Sequence, residues 1–184
     1  MKILEKNTSI IIAPFLCAVL IVFTKLPLEY YPLSFGLVIA VVNWKISSRN
    51  SYLRTFLCVL FSYTSFFAGY FTPHILSNAF VPLFGQDIGG IVALTLSVCL
   101  ISPLLLFFLF RFIFKYPKKK FVIKVTAISV ITLFLISLFH TWNVDTLKFQ
   151  HEFNEILNPY TLWQVIMALA IQLLVRQQYL FKQK

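Results

Sequence analysis

From Ile88 to Phe110 the chain runs for 23 residues without a single Asp, Glu, Lys or Arg, between Asp87 and Arg111. No other feature restricts the possible folds so strongly. About 20 mostly apolar residues let a helix cross roughly 30 Å of hydrocarbon, and in lipid every backbone N–H and C=O must be satisfied inside the segment. Five further apolar stretches follow the same pattern: Ser9 to Thr24, Tyr30 to Trp44, Thr55 to Thr72, Phe121 to His140 and Tyr160 to Val175. The sequence predicts an all-α, polytopic integral membrane protein, with residues 1–184 forming one compact bundle of about six transmembrane helices.

Composition supports this class. Hydrophobic residues make up 59% and charged residues 12%, against about 25% charged in an average soluble domain. A water-soluble fold of this length cannot hide so much apolar surface, and a disordered chain would be polar and poor in aromatics. With 21 Phe and three Cys, a disulfide-stapled secreted module is excluded as well.

Two segments are less regular. Tyr30 to Trp44 holds only 15 residues, which at about 1.5 Å each falls short of the hydrocarbon core. Tyr30, Tyr31 and Trp44 in the headgroup belt would let it cross; a re-entrant or interfacial segment is the alternative. Pro73 to Phe84 is apolar too, but Pro73, Pro82 and Gly85 interrupt it, so it is expected as a loop lying on the membrane surface.

Charge then orients the spans. With a cytoplasmic N-terminus and six crossings, the inner segments hold 14 of the 16 basic residues and one acid, Glu5. The outer segments hold Lys25 and Lys148 with five acids: Glu29, Asp87, Asp145, Glu152 and Glu155. This is the positive-inside pattern. Both termini are therefore expected in the cytoplasm, and small size with short loops points to the bacterial cytoplasmic (inner) membrane. A pI near 9.7 would suggest nucleic acid in a soluble domain; here the bases fix topology and attract anionic headgroups at the cytoplasmic face. The run Lys118-Lys119-Lys120 is read first as a topology determinant and second as a headgroup site. Lys2 and Lys6 before an apolar run imitate a signal peptide, but no small-x-small cleavage site precedes Lys25, so the first helix is expected to be retained.

Chemistry is sought next among polar groups at depth, since ionisable residues there are costly and usually functional. Every Asp, Glu, Lys and Arg falls at or near a span end, which disfavours a mid-membrane proton relay or a voltage sensor. Uncharged polar residues do occur at depth. Ser62, Tyr63, Ser65, Ser97, Ser102 and Gln164 are the candidate ligand-binding residues. Their plainer reading is interhelical hydrogen bonding or back-bonding to the preceding turn. Gln164 and Gln172 are both expected to face the bundle. Small residues four apart, namely Ala13/Cys17, Gly36/Ala40, Ser65/Gly69 and Ala93/Ser97, suit close helix approach. Pro14 and Pro103 should kink their helices.

His74, His140 and His151 all fall on the outer side without metal-site spacing, so solvated interfacial residues are the better reading. Cys17, Cys58 and Cys99 form no CxxC and read as small buried hydrophobes. No catalytic residue, metal or cofactor is expected. Between Thr141 and Pro159, residues Leu147, Phe149, Phe153, Ile156 and Leu157 recur at helical spacing and predict an amphipathic helix on the outer interface. Phe149, Phe153 and His151 are its candidate contacts with a partner, and His151 would titrate near pH 6.5 if unperturbed.

Three function classes remain. The first is a protein without a catalytic site that binds another membrane component, as an immunity, defence or assembly factor. A small-solute or lipid transporter, or its substrate-binding subunit, is the second, with the polar patches lining its pocket. The third is a lipid-modifying enzyme with an outer-face His and acid.

Overall fold

The computed structural model describes the backbone of residues 2–24, 27–44, 50–116, 118–144 and 159–180, and the side chains of 10–24, 27–44, 50–116, 118–139 and 160–176. Its regular elements are helices throughout: α1 (Lys2–Thr24), α2 (Tyr31–Val42), α3 (Ser51–Phe84), α4 (Gln86–Phe110), α5 (Lys119–Val144) and α6 (Pro159–Leu180). A 3₁₀ turn, Leu28–Tyr30, leads into α2. The six apolar stretches of the sequence all fall on these helices. Three of them, α3, α4 and α5, are long and apolar enough to cross a membrane; Ile10–Thr24, Leu28–Val42 and Tyr160–Arg176 are shorter apolar helical segments.

Local signals set several boundaries. The Asn50 side chain accepts a hydrogen bond from the Tyr52 N–H at 3.1 Å and caps α3. Pro32 sits in the first turn of α2 and Pro159 opens α6, where a missing N–H costs nothing. Between α3 and α4 stands one residue, Gly85, with φ of +82°, a conformation that only glycine adopts without steric cost.

That single-residue turn corrects one expectation. Pro73 to Phe84 is not a surface loop. Instead α3 continues for 34 residues through both prolines, about 50 Å at 1.5 Å per residue. A proline inside a helix costs on the order of 3 kcal/mol, and here tertiary packing offsets it. The end of α3 and the start of α4 pack backbone to backbone: a Cβ built on Gly89 would stand 2.7 Å from Val81 Cα. Pro103, in α4, is accommodated differently. At Ser97–Ile101 α4 widens into a π turn, in which the Ser102 N–H donates to the Ser97 carbonyl. Pro103 follows at once, where its ring finds the room that a regular turn would deny it.

Helices α1 and α6 pack together, α2 packs on α3, α3 on α4, and α5 on α4 and α6. Bonds between helices set their directions. Tyr63 Oη donates to the Glu29 carbonyl at 3.0 Å, Ser65 and Ser102 pair across α3 and α4, and Arg176 donates to the Val42 carbonyl at 3.2 Å. Arg54 stands near the start of α3 beside Trp44, Arg111 and Lys115 follow α4, Lys118, Lys119, Lys120 and Lys124 stand at the start of α5, and Arg176 reaches the Val42 carbonyl, so these bases share the end of the bundle where α3 begins. Glu29 lies beside Tyr63, partway along α3, and Asp87 follows the far end of α3. We call the first the basic end and the opposite one, toward Asp87, the acidic end. Phe35, Ile39, Leu106, Phe110, Met167, Ile171 and Leu174 fill the core. Outside it, α5 exposes Ile123, Ile128, Ile131, Leu135 and Phe139, an apolar surface that suits lipid rather than water.

All four pairs of small residues are buried: Ala13/Cys17, Gly36/Ala40, Ser65/Gly69 and Ala93/Ser97. They let backbones approach, as the sequence suggested. The three cysteines are free and buried, again as expected. The amphipathic segment around Phe149, His151 and Phe153 lies outside the described residues.

Candidate ligand pocket

Toward the acidic end, α2, α3, α4 and α6 diverge around a pocket of about 310 Å³, the volume of roughly ten waters at ~30 Å³ each. The start of α2 contributes Tyr31, Pro32 and Phe35; α3 contributes Ser62, Phe66, Gly69, Tyr70, Pro73 and His74. Helix α4 adds Leu94, Val98 and Ser102, and α6 adds Tyr160, Trp163 and Gln164. Six of these fifteen residues are Phe, Tyr or Trp. Trp163 and Phe35 lie with ring centroids 5.9 Å apart, and Tyr70 meets His74 edge to face at 6.4 Å. Such a lining, apolar with a few placed polar groups, is the usual make-up of a small-molecule site.

Three of the six residues singled out in the sequence meet here: Ser62, Ser102 and Gln164. Ser62 donates its hydroxyl proton to the Cys58 carbonyl at 2.7 Å, which leaves its oxygen as an acceptor toward the pocket. Gln164 is 3% exposed, and its Oε1 is buried with no hydrogen-bond partner. An unsatisfied buried carbonyl costs about 1–3 kcal/mol. Among the described residues lining the pocket none is Asp, Glu, Lys or Arg, so a charged ligand would find no counter-charge.

The other three hold the scaffold together. Ser65 Oγ donates to the Ser102 carbonyl at 2.7 Å while Ser102 Oγ donates to the Ser65 carbonyl at 2.9 Å, a reciprocal clasp between α3 and α4. Ser97 donates back to Ala93 within its own helix at 2.8 Å. Tyr63 ties α3 to the turn before α2 through the Glu29 carbonyl. For these residues the plainer reading holds. Ser65→Ala is expected to remove one side of the clasp and cost about 0.6–1.7 kcal/mol. A double-mutant cycle with Ser102→Ala, read from unfolding in detergent, should return a non-additive coupling.

The sequence did not single out Phe35, Phe66, Tyr70 or Trp163, and it read Tyr31 only as a headgroup-belt residue. With 21 Phe and 8 Tyr spread through every span, no local signal distinguishes a pocket aromatic from a lipid-facing one. The π turn does mark one: Trp163 Nε1 donates to the Val98 carbonyl at 3.0 Å, inside the widened turn of α4. π turns often occur at functional sites. Of the three histidines, His74 lines the pocket mouth; the side chain of His140 and the whole of His151 lie outside the described residues. No group of three His, Cys, Asp or Glu suited to a metal ion occurs among the described residues.

At the basic end lies a residue that the sequence reading placed only by its charge. Arg54, in the first turn of α3, is 0% exposed. Expected at a span end as a topology determinant, it is instead enclosed by protein.

Fold and site together define a helical protein with three helices long and apolar enough to cross a membrane, and an aromatic-lined pocket that holds no Asp, Glu, Lys or Arg among the described residues. No protein-family model matches the chain, and the searches of curated proteins and of solved structures each returned no match.

Proposed function

We propose that this protein binds a small uncharged solute in the aromatic pocket, as a transporter or as the substrate-binding subunit of one, in the bacterial cytoplasmic membrane. In this reading the chain crosses six times with both termini in the cytoplasm. The basic end then meets the anionic headgroups of the cytoplasmic leaflet, and the pocket opens toward the outer face. The ligand has an apolar, ring-compatible body and at least one N–H or O–H donor. One observation carries this reading: Gln164, whose buried Oε1 has no partner, lines a pocket walled by Tyr31, Phe35, Phe66, Tyr70 and Trp163. A protein that acted only through its outer surface would have no use for an unsatisfied carbonyl inside it.

Two other readings have less support. Contact with another membrane component rests on Phe149, His151 and Phe153, outside the described residues. A lipid-modifying enzyme would need an acid beside His74, and no Asp or Glu lines the pocket among the described residues.

Native mass spectrometry of protein extracted with its surrounding lipids tests the proposal. A small organic molecule is expected to be released from the wild type. Gln164→Leu should weaken its retention about tenfold, the equivalent of ~1.4 kcal/mol, because the ligand's donor then loses its acceptor. If the wild type carries only lipid, or if the variant keeps the molecule equally well, the solute reading fails.

A further inference from the structure

None of the three guanidinium nitrogens of Arg54 has a hydrogen-bond partner, although the residue is fully enclosed. An arginine cannot shed its charge to relieve such a position, and a buried cation without a counter-ion is among the most costly arrangements in a protein. The ring of Trp44 stands over it, 5.2 Å from the guanidinium carbon to the ring centroid.

Two further donors at this end, the Tyr116 hydroxyl and the Gln172 amide nitrogen, are also buried without a partner. Burial, and then the neighbouring Cys58, push the Tyr116 phenol up, so it stays a proton donor. Cys58, one turn along α3, lies within electrostatic range of both Arg54 and Tyr116. On the other side, Arg176 bridges Gln172 Oε1 at 3.1 Å and the Val42 carbonyl at 3.2 Å. The end of α2, residues 42–44, is thus held between two arginines. One unpaired acceptor is present as well, Asn43 Oδ1, suited to a hydroxyl of the same ligand. The described acids lie elsewhere, Glu29 beside Tyr63 and Asp87 beyond the far end of α3.

We propose that Arg54, with the Tyr116 hydroxyl and the Gln172 amide as further donors, forms a binding site for a phosphate-class oxyanion at the basic end of the bundle. Trp44 is its cover: the ring lies over the guanidinium and is itself 49% exposed, so its displacement opens the site at headgroup level. The exposed Lys118, Lys119 and Lys120 raise the local concentration of anions there. A guanidinium matches two phosphate oxygens at once. The phosphate of an anionic lipid and free inorganic phosphate share this chemistry. The site is independent of the solute pocket, which lies toward the other end.

The test uses the full chain in a phosphate-free detergent, with affinity read from the unfolding midpoint. Phosphatidylglycerol, phosphatidylcholine and inorganic phosphate are added separately. Wild type should bind phosphatidylglycerol or inorganic phosphate at least about tenfold more tightly than Arg54→Gln. Lys119→Gln, an exposed cation nearby, should stay within about twofold of wild type. A response to phosphatidylglycerol alone identifies the lipid as the source; a response to inorganic phosphate identifies the free anion. Equal affinities for wild type and Arg54→Gln, or binding of neither anion by wild type, overturn the proposal. So does an Arg54→Gln protein that is merely more stable with its anion response intact. Should Arg54→Gln not fold, Tyr116→Phe removes a single donor and is expected to bind several-fold more weakly; unchanged affinity there overturns the site too.

Discussion

Gly36→Val is expected to destabilise the protein by about 3 kcal/mol, the upper part of the range for overpacking a tight contact. A Cβ at this position would stand 2.6 Å from Val59 Cα, 2.9 Å from Val59 N and 2.9 Å from the Cys58 carbonyl oxygen. These are backbone atoms of α3, held in a helical hydrogen-bond ladder, and they cannot step aside as a flexible side-chain tip could. Helix α2 would have to move away bodily. Tyr31, Pro32 and Phe35 would move with it, so the pocket should loosen along with the fold. Thermal unfolding in mild detergent measures the first effect. Gly90→Ala provides the contrast: nothing lies within 4 Å of its added Cβ, and it should gain up to ~1 kcal/mol from helix propensity. Similar losses at both glycines would mean that α2 and α3 do not approach as described.

Ser62→Phe should abolish solute retention, an effect of about 100-fold or more, without unfolding the protein. Ser62 is 3% exposed and faces a pocket of about 310 Å³, so a ring there occupies the space that the ligand would take. Its own hydroxyl serves only a back-bond to Cys58, and losing that bond costs the helix little. Ser97→Ala is the matched control, because Ser97 bonds to Ala93 in its own helix and does not line the pocket. The reading requires that Ser62→Phe lose the molecule seen by native mass spectrometry and that Ser97→Ala keep it. Equal retention by both would place the ligand elsewhere.

These contrasts separate what is legible along the chain from what is not. Ile88 to Phe110 reads as a membrane helix at sight, since length and the absence of charge are local properties, and α4 covers it. Small residues four apart were legible for a similar reason: helical geometry puts them on one face, and a face of small residues is worth burying only against another helix. Pro73 to Phe84 was not legible. Two prolines argue for a break, and the support that outweighs them comes from Gly89, across a hairpin that the local sequence does not announce.

Apolar content and charge-free length are additive along the chain, so they suffice to mark its helices and to show that three of them are long and apolar enough to cross a membrane. The roles of individual polar residues are not additive in this way. Ser62, Ser65 and Ser97 are alike in chemistry and depth, yet one lines a pocket, one clasps a neighbouring helix and one bonds to its own turn. Arg54 and Lys119 are both cations near the start of a helix, yet one is enclosed and the other exposed. Each outcome depends on which helix lies opposite, and that is a property of the packed bundle.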